Sequence, residues 1–311
     1  MQKIIVISGT TASGKTACSI DLARQYNGII INADSMQIYK GLPILSAQPN
    51  KNELNSAEHL LFSYLEPNIN CNVGIWLKLV KDSIEYSFNK NKTPIIVGGT
   101  GMYISKLING ISPIPEVDEA TRNKINNLYN EIGYDKFYNM AKSIDNETTS
   151  KLNPNDQQRL KRILEVYEIT KKPISYFQNQ PNIKLYDDKM FFHININLPR
   201  EILYERCSLR FKKMIEEENV IEEIKTFQSK YNNIVNNPTK YSITKTIGLM
   251  DGIDYINNKI SLEEFIEKSV KLTRNYAKRQ YTWFNHQFTH FDYVFKDLPE
   301  QFSINKSQLT T

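Results

Sequence analysis

Apolar runs of strand length recur along the first third of the chain, separated by stretches with helical spacing. Ile4–Ser8, Gly28–Asn32 and Pro94–Val97 read as strands, and Leu60–Tyr64 as a further short one. Thr16–Tyr26 reads as a helix, as does Ile75–Asn89, with Trp76, Leu79, Val80 and Ile84 on its apolar face. Strands that are apolar throughout and alternate with helices predict a parallel sheet covered on both faces. From about Pro115 the pattern becomes helical: Glu119–Leu128, Tyr134–Ser143 and Asp156–Thr170, the last opened by Asn153-Pro154-Asn155-Asp156 with Asp156 as N-cap. Phe191–Leu198 is β-like again and returns the chain to the sheet. Helical pattern then runs from Pro199 to about Tyr231 and from Leu262 to Phe288. The expected architecture is an α/β core over 1–115 and 190–311, with a helical insertion over 116–189.

Gly9-Thr10-Thr11-Ala12-Ser13-Gly14-Lys15-Thr16 joins the first strand to the first helix. That context is the one a phosphate-binding loop requires. Glycines let backbone N–H groups turn toward an anion, the following helix adds its positive end, Lys15 adds an ammonium, and the Thr16 hydroxyl suits Mg²⁺. Ligands of such sheets bind at the carboxyl ends of the strands, so Lys15, Asp34 and Thr100 are expected to converge. In Asp34-Ser35-Met36-Gln37, the carboxylate could act as a general base, as a partner of a bound Mg²⁺, or as a helix cap. Gly98-Gly99-Thr100-Gly101 ends its strand without the acid that a nucleotide hydrolase uses to hold Mg²⁺, which argues against ordinary ATP hydrolysis. Its glycines permit close approach to a ligand, with the Thr100 hydroxyl as a contact, or else form a tight turn with Thr100 toward solvent.

A formal charge of +5 permits an anionic partner without requiring one. The basic residues nevertheless fall into stripes: Gln158, Lys161 and Arg162 with Arg159 at the flank, Lys271, Arg274 and Lys278, and Arg206, Arg210 and Lys213. Together they suggest an extended polyanion, although each alone would suit a solvated helix face. Cys18, Cys71 and Cys207 are widely spaced and show no metal-ligand spacing, which fits a reduced compartment. The chain opens with a strand and shows neither a signal-peptide pattern nor a span long enough for a bilayer, so a soluble cytoplasmic protein without membrane partners is expected.

These motifs, in this order, resemble the tRNA dimethylallyltransferase family. The phosphate loop is similar to G-P-T-A-S-G-K-T, with Thr10 in place of Pro, and Asp34 to Gly41 to D-S-x-Q-V-Y-x-G. Val97 to Tyr103 resembles V-G-G-T-G-L-Y, Asn155 to Val166 resembles N-D-x-Q-R-x-x-R-A-L-E-V, and Arg274 to Trp283 resembles R-x-x-A-K-R-Q-x-T-W. The matches run from residue 4 to about 284. Departures fall at Leu45-Ser46-Ala47-Gln48-Pro49 (G-T-A-K-P in the family), Glu58-His59-Leu60 (H-H-L) and Ile247-Gly248-Leu249 (I-G-Y).

The resemblance implies a P-loop NTPase-like fold and prenyl transfer from dimethylallyl diphosphate to N6 of adenosine 37 in tRNA, by a monomer that uses Mg²⁺. By the same resemblance, Asp34, Thr100 and Lys15 would be catalytic. Gly9 to Thr16 and Arg210 would hold the diphosphate, with Thr16 toward the metal. Asp34, Ser35, Met36, Gln37, Thr100, Arg122, Gln158, Arg159, Leu160, Lys161 and Arg162 would contact tRNA, the insertion gripping the anticodon stem-loop and the adenosine being extruded into a channel through the protein. Two other readings remain at this stage: a small-molecule or nucleotide kinase, and a non-catalytic tRNA-binding descendant of the enzyme.

Overall fold

The computed structural model describes residues 2–154, 156–305 and 307, so Asn155 of the helix-start signature lies outside the described residues. In chain order the elements are β1 (Ile4–Gly9), α1 (Lys15–Tyr26), β2 (Gly28–Asn32), α2 (Lys51–Ser56), β3 (Glu58–Leu60), α3 (Val73–Asn89), β4 (Thr93–Gly98) and α4 (Gly101–Asn109). There follow α5 (Glu119–Ile144), α6 (Asn146–Thr149), α7 (Gln157–Thr170), α8 (Ile174–Gln178) and β5 (Phe191–Ile196). The chain continues through α9 (Arg200–Glu216), α10 (Val220–Lys230), α11 (Asn232–Val235), α12 (Leu249–Ile256), α13 (Leu262–Gln287) and β6 (Tyr293–Phe295). The chain divides into two compact units, residues 1–108 with 186–311, and residues 109–185.

The first unit holds a six-stranded sheet of order β3-β2-β4-β1-β5-β6, in which every pairing is parallel. Strands β1, β2 and β5 are buried along their whole length, as a sheet covered on both faces demands. Alternation along β1 splits the core. Ile4 and Val6 join a cluster with Trp76, Ile104, Phe211 and Phe265, whereas Ile5 and Ile7 join one with Cys18, Leu22 and Phe192. Phosphate-loop proteins place β1 centrally for a physical reason: the loop at its carboxyl end then has strands on both sides to carry ligands.

The expected strand over Leu60–Tyr64 lies earlier, at Glu58–Leu60, because Leu61 and Ser63 take φ of 64° and 45°, which an extended strand does not allow. The C-terminal helix buries Phe265, Ser269, Thr273, Ala277, Gln280 and Phe284.

The second unit, residues 109–185, has its own apolar core of Ile125, Phe137, Ala141, Leu160, Ile163, Leu164, Val166, Ile174 and Phe177. Gly133, at φ 76°, interrupts α5, so the two helices expected on either side of it meet at a kink. Asp156 caps α7, its Oδ1 accepting the Arg159 N–H at 3.1 Å. Among the described residues no helix is long and apolar enough to cross a membrane.

Candidate active site

The turn between β1 and α1 has the backbone of an anion cradle. Gly14 takes φ 90° and Ala12 φ 62°, a left-handed conformation that costs a non-glycine residue about 1 kcal/mol. The first N–H groups of α1 have no acceptor within the helix. The buried hydroxyls Thr10 Oγ1 and Ser13 Oγ lack a hydrogen-bond partner, a costly arrangement unless a polar ligand meets them. The loop does not direct all its amides inward. The Thr11 N–H donates to Gln280 Oε1 at 2.7 Å, and the Ser13 N–H donates to the Thr10 carbonyl at 3.4 Å.

Cations surround this turn. Lys15 Nζ donates to the Thr10 carbonyl. Arg210 Nη2 donates to Thr11 Oγ1 at 2.7 Å, and Arg206 Nε to the Ala12 carbonyl at 2.7 Å. Burial brings the Lys15 ammonium down to about 8, with Asp34 opposing the shift and Arg210 adding to it. Arg210 is also lowered by burial and opposed by the Cys207 and Asp34 charges. The Asp34 charge therefore acts on both cations. The sign of the Lys15 shift gives a direct test. The ammonium is present below pH 8 and lost above it, so affinity for inorganic diphosphate should fall between about pH 7 and pH 9 relative to Lys15→Met, as titration calorimetry would measure.

Arg206 and Arg210 were expected in a basic stripe facing a polyanion, with Arg210 also expected at the diphosphate by the resemblance. They brace the loop, because that face of α9 packs toward the carboxyl end of β1. Arg274 is also engaged, donating to Ser208 Oγ at 2.7 Å and to the Tyr204 carbonyl at 3.4 Å. Lys271 and Lys278 remain exposed on α13.

Asp34 lies just past β2. Its Oδ1 accepts the Met36 N–H at 2.9 Å and the Gln37 N–H at 3.4 Å, so the carboxylate does cap the turn that follows. Thr100 supports the same turn: its Oγ1 accepts the Ser35 N–H at 2.9 Å and donates to Ser35 Oγ at 3.2 Å. Of the two geometries open for Thr100, the solvent-facing one is not the one observed.

The glycines at and just after the end of β4 are required by close packing within the protein. A Cβ at Gly98 would stand 2.1 Å from the Ala33 carbonyl oxygen, and one at Gly101 would stand 2.1 Å from the Trp283 ring. An acid at position 98, as in a nucleotide hydrolase, is sterically excluded by the backbone of Ala33.

A cavity of about 300 Å³ in the first unit joins these groups. Thr11 and Arg210 line its end nearest the β1–α1 loop, with Asp34, Ser35, Met36 and Gln37 alongside. Leu45, Phe211, Met214 and Ile247 give it an apolar wall, and Lys245 and Arg279 add cations. Tyr276 lines it too; burial and the nearby Asp34 charge raise its phenol, which stays protonated. The departing segment at Leu45 therefore falls on the cavity wall, as does Ile247. Glu58 instead pairs at the sheet edge with Lys92 and Lys90, at 3.1 and 3.5 Å.

Three contributors carry no assignment from the sequence. Gln280 spans two loops, its Oε1 taking the Thr11 N–H and its Nε2 giving to the Gly99 carbonyl at 2.8 Å. A Gln on the buried face of a long helix was the available signal. Tyr276, half-buried, and Arg279, exposed, line the cavity from the flank of that face.

In the second unit Gln158, Arg159 and Arg122 are exposed. Arg159 Nε pairs with Asp156 at 3.2 Å and Arg162 with Glu165 at 3.3 Å, while Lys161 Nζ lies 4.3 Å from the centre of the Tyr129 ring. Leu160 was expected to touch tRNA, but it is 2% exposed inside the apolar core and its side chain cannot reach a nucleic acid there.

A glycine-bearing turn with clustered cations at the end of a parallel β1, a carboxylate after β2 and an apolar wall define a P-loop NTPase-like protein. The family model for IPP transferase matches residues 37–287, and the chain belongs to that family. A tRNA dimethylallyltransferase of Ehrlichia chaffeensis is 41% identical over 292 residues, covering 93% of this chain and 92% of the relative. One from a Thermoanaerobacter species is 38% identical over 284 residues, covering 91% and 88%. Among solved structures, a eukaryotic dimethylallyltransferase acting on tRNA is 30% identical with TM-score 0.81, over 91% of this chain and 70% of that one. The full-length tRNA isopentenylpyrophosphate transferase of Bacillus halodurans is 28% identical with TM-score 0.65, over 95% and 90%.

Proposed function

We propose that the chain transfers a dimethylallyl group from dimethylallyl diphosphate to N6 of adenosine 37 in tRNA, releasing diphosphate. The observation that carries this reading is the single cavity that Thr11, Arg210 and Asp34 share with an apolar wall. Family membership and the names of the relatives support the same reaction.

The allylic C–O bond breaks as negative charge grows on the leaving diphosphate. The loop amides, Lys15 and Arg210 stabilise that charge in a site where burial already strains the cations, so the charge they meet in the transition state is worth more than in water. The adenine N6 amine is a poor nucleophile because its lone pair is delocalised into the ring. As the C–N bond forms, Asp34 takes the proton from N6. Oδ1 holds the turn, which leaves Oδ2 as the proton acceptor. Thr100 holds Ser35, and thereby the backbone that aims Asp34. The Tyr276 phenol, kept protonated, supplies a hydrogen-bond donor on the same wall.

Mg²⁺ is a further proposal. The donor set fits an ion carried mainly by the substrate: the Thr16 hydroxyl with phosphate oxygens, rather than a carboxylate cage, and no cluster of three or more His, Cys, Asp or Glu side chains occurs among the described residues. When bound, such an ion neutralises diphosphate charge.

The insertion is read as the anticodon stem-loop grip of a cytoplasmic monomer, with Arg122, Gln158, Arg159, Lys161 and Arg162 as tRNA contacts. Adenosine 37 leaves its stack to reach the cavity, since N6 is otherwise inaccessible. Arg159→Ala and Arg162→Ala are each expected to weaken tRNA binding and to reduce the slope of log K against log salt by about one, in filter-binding titrations. An unchanged slope removes that residue from the interface.

The reaction is tested by measuring diphosphate release with dimethylallyl diphosphate, with and without unmodified tRNA, beside ADP release from ATP. Release that requires both substrates, with no ADP formed, supports the proposal. ADP formed without RNA would make the chain a kinase.

A further inference from the structure

The cavity wall at Leu45 and Ser46 belongs to a compact turn in which the N–H groups of Ser46, Ala47 and Gln48 donate to the carbonyls of Leu42, Ile44 and Pro43. The two leading N–H groups, those of Ile44 and Leu45, are met from another part of the chain. Glu223 of α10 accepts the first on Oε1 at 2.7 Å and the second on Oε2 at 2.8 Å. From the opposite side, Gln37 Nε2 donates to the carbonyls of Ser46 and Ala47 at 3.1 and 2.8 Å. Gln37 itself lines the cavity, and Leu45 Cδ1 packs toward Gly248, next to the lining residue Ile247. The turn is thus held between a cavity residue and one carboxylate 178 positions along the chain.

We propose that Glu223 is a positioning residue for prenyl transfer: its carboxylate fixes the Leu45–Ser46 wall of the cavity and so sets which prenyl chain length the site accepts. The inference rests on the prenyl-transfer reading above and goes further, since it assigns chain-length selectivity to a residue that does not line the cavity.

The chemistry requires a carboxylate. Two adjacent N–H donors meet two different oxygens, and a carboxylate is acceptor-only at both. An amide or a protonated acid can satisfy one N–H, but turns its own N–H₂ or O–H toward the other. Glu223→Gln therefore reproduces, at every pH, the state that protonation creates. Burial raises Glu223 to about 7, with the two backbone N–H bonds opposing the shift and the Glu218 charge adding to it. Glu218 is itself paired with Lys213 at 3.5 Å. The sign follows: the clasp is complete above pH 7 and weakens as pH falls through it.

The test compares wild type and Glu223→Gln with dimethylallyl and geranyl diphosphates at saturating tRNA from about pH 6 to 8.5, alongside peptide-level hydrogen exchange. In the variant, KM for dimethylallyl diphosphate should rise about tenfold, as losing one buried hydrogen bond implies, with kcat changed less than about threefold. The preference for dimethylallyl over geranyl diphosphate should narrow. The acid limb of kcat/KM near pH 7 should be present in wild type and absent in the variant. Exchange over residues 42–48 should quicken while that of β1 stays unchanged. An active wild type whose chain preference and acid limb are shared by the variant overturns the inference and leaves the prenyl-transfer reading standing. A wild type inactive with both diphosphates overturns both.

Discussion

Asp34→Asn should reduce kcat by about 10²- to 10⁴-fold, the usual contribution of a general base, while diphosphate binding stays nearly unchanged. The geometry makes this substitution clean. Asp34 Oδ1 accepts the N–H groups of Met36 and Gln37, and an asparagine oxygen can accept them equally well. The turn that presents Ser35 to Gln37 to the cavity therefore survives, while the basic oxygen is lost together with the charge that opposes the lowering of Lys15, so diphosphate binding is compared well below pH 8, where Lys15 stays protonated. Asp34→Ala removes cap and base together, so it should add a fall in melting temperature that the asparagine variant does not show. Losing an N-terminal cap of this kind costs about 1 kcal/mol. Single-turnover rates with pre-bound tRNA and dimethylallyl diphosphate separate the chemical step from binding. Full turnover in the asparagine variant would remove Asp34 from proton transfer and leave it as a cap alone.

Arg210→Ala should lower kcat/KM by about 10²- to 10³-fold, the scale of one preorganised donor aimed at developing charge. Arg210 reaches the loop through Thr11 and lines the cavity at its end nearest that loop. The same variant carries a second signature. Arg210 is one of the groups that lower Lys15, so its removal should move the Lys15 titration upward from about 8. The alkaline loss of diphosphate affinity would then occur at higher pH in the variant than in wild type. A variant with reduced affinity but an unmoved alkaline limb would mean that Arg210 and Lys15 do not share a field. Arg210→Lys keeps the charge but loses the planar fork and should restore only part of the rate.

What the sequence makes legible here is whatever depends on local order. The strand, loop and helix around Lys15 follow from apolar pattern and glycine placement, and so does the parallel sheet. Capping by Asp34 and Asp156 is visible because cap residues act on amides two or three positions away. The side of a helix is legible, but what that side meets is not. Arg206 and Arg210 have the spacing of a cationic stripe, yet they lie against the loop after β1 and donate hydrogen bonds to the Ala12 carbonyl and the Thr11 hydroxyl. Leu160 falls on the apolar stripe of α7 by its spacing with Ile163 and Leu164, and the core it joins bears that out; the tRNA contact expected of it came from the resemblance alone. The glycines at 98 and 101 announce a close approach, while the identity of the neighbour, Ala33 in one case and Trp283 in the other, comes from the fold. Gln280 and Glu223 act on backbone amides more than 170 positions away, so a buried polar position can be read along the chain but not the partner it meets.

The central claim is that a diphosphate leaving group and a proton-accepting carboxylate share one cavity to alkylate an adenine amine. Nucleoside mass analysis tests it most directly, on unmodified tRNA incubated with the protein, Mg²⁺ and dimethylallyl diphosphate. The account predicts one added isoprene unit on adenosine, mapped to position 37 and absent when Asp34→Asn replaces wild type over the same interval. Unaltered adenosine with wild-type protein, under conditions where tRNA and diphosphate both bind, would contradict it.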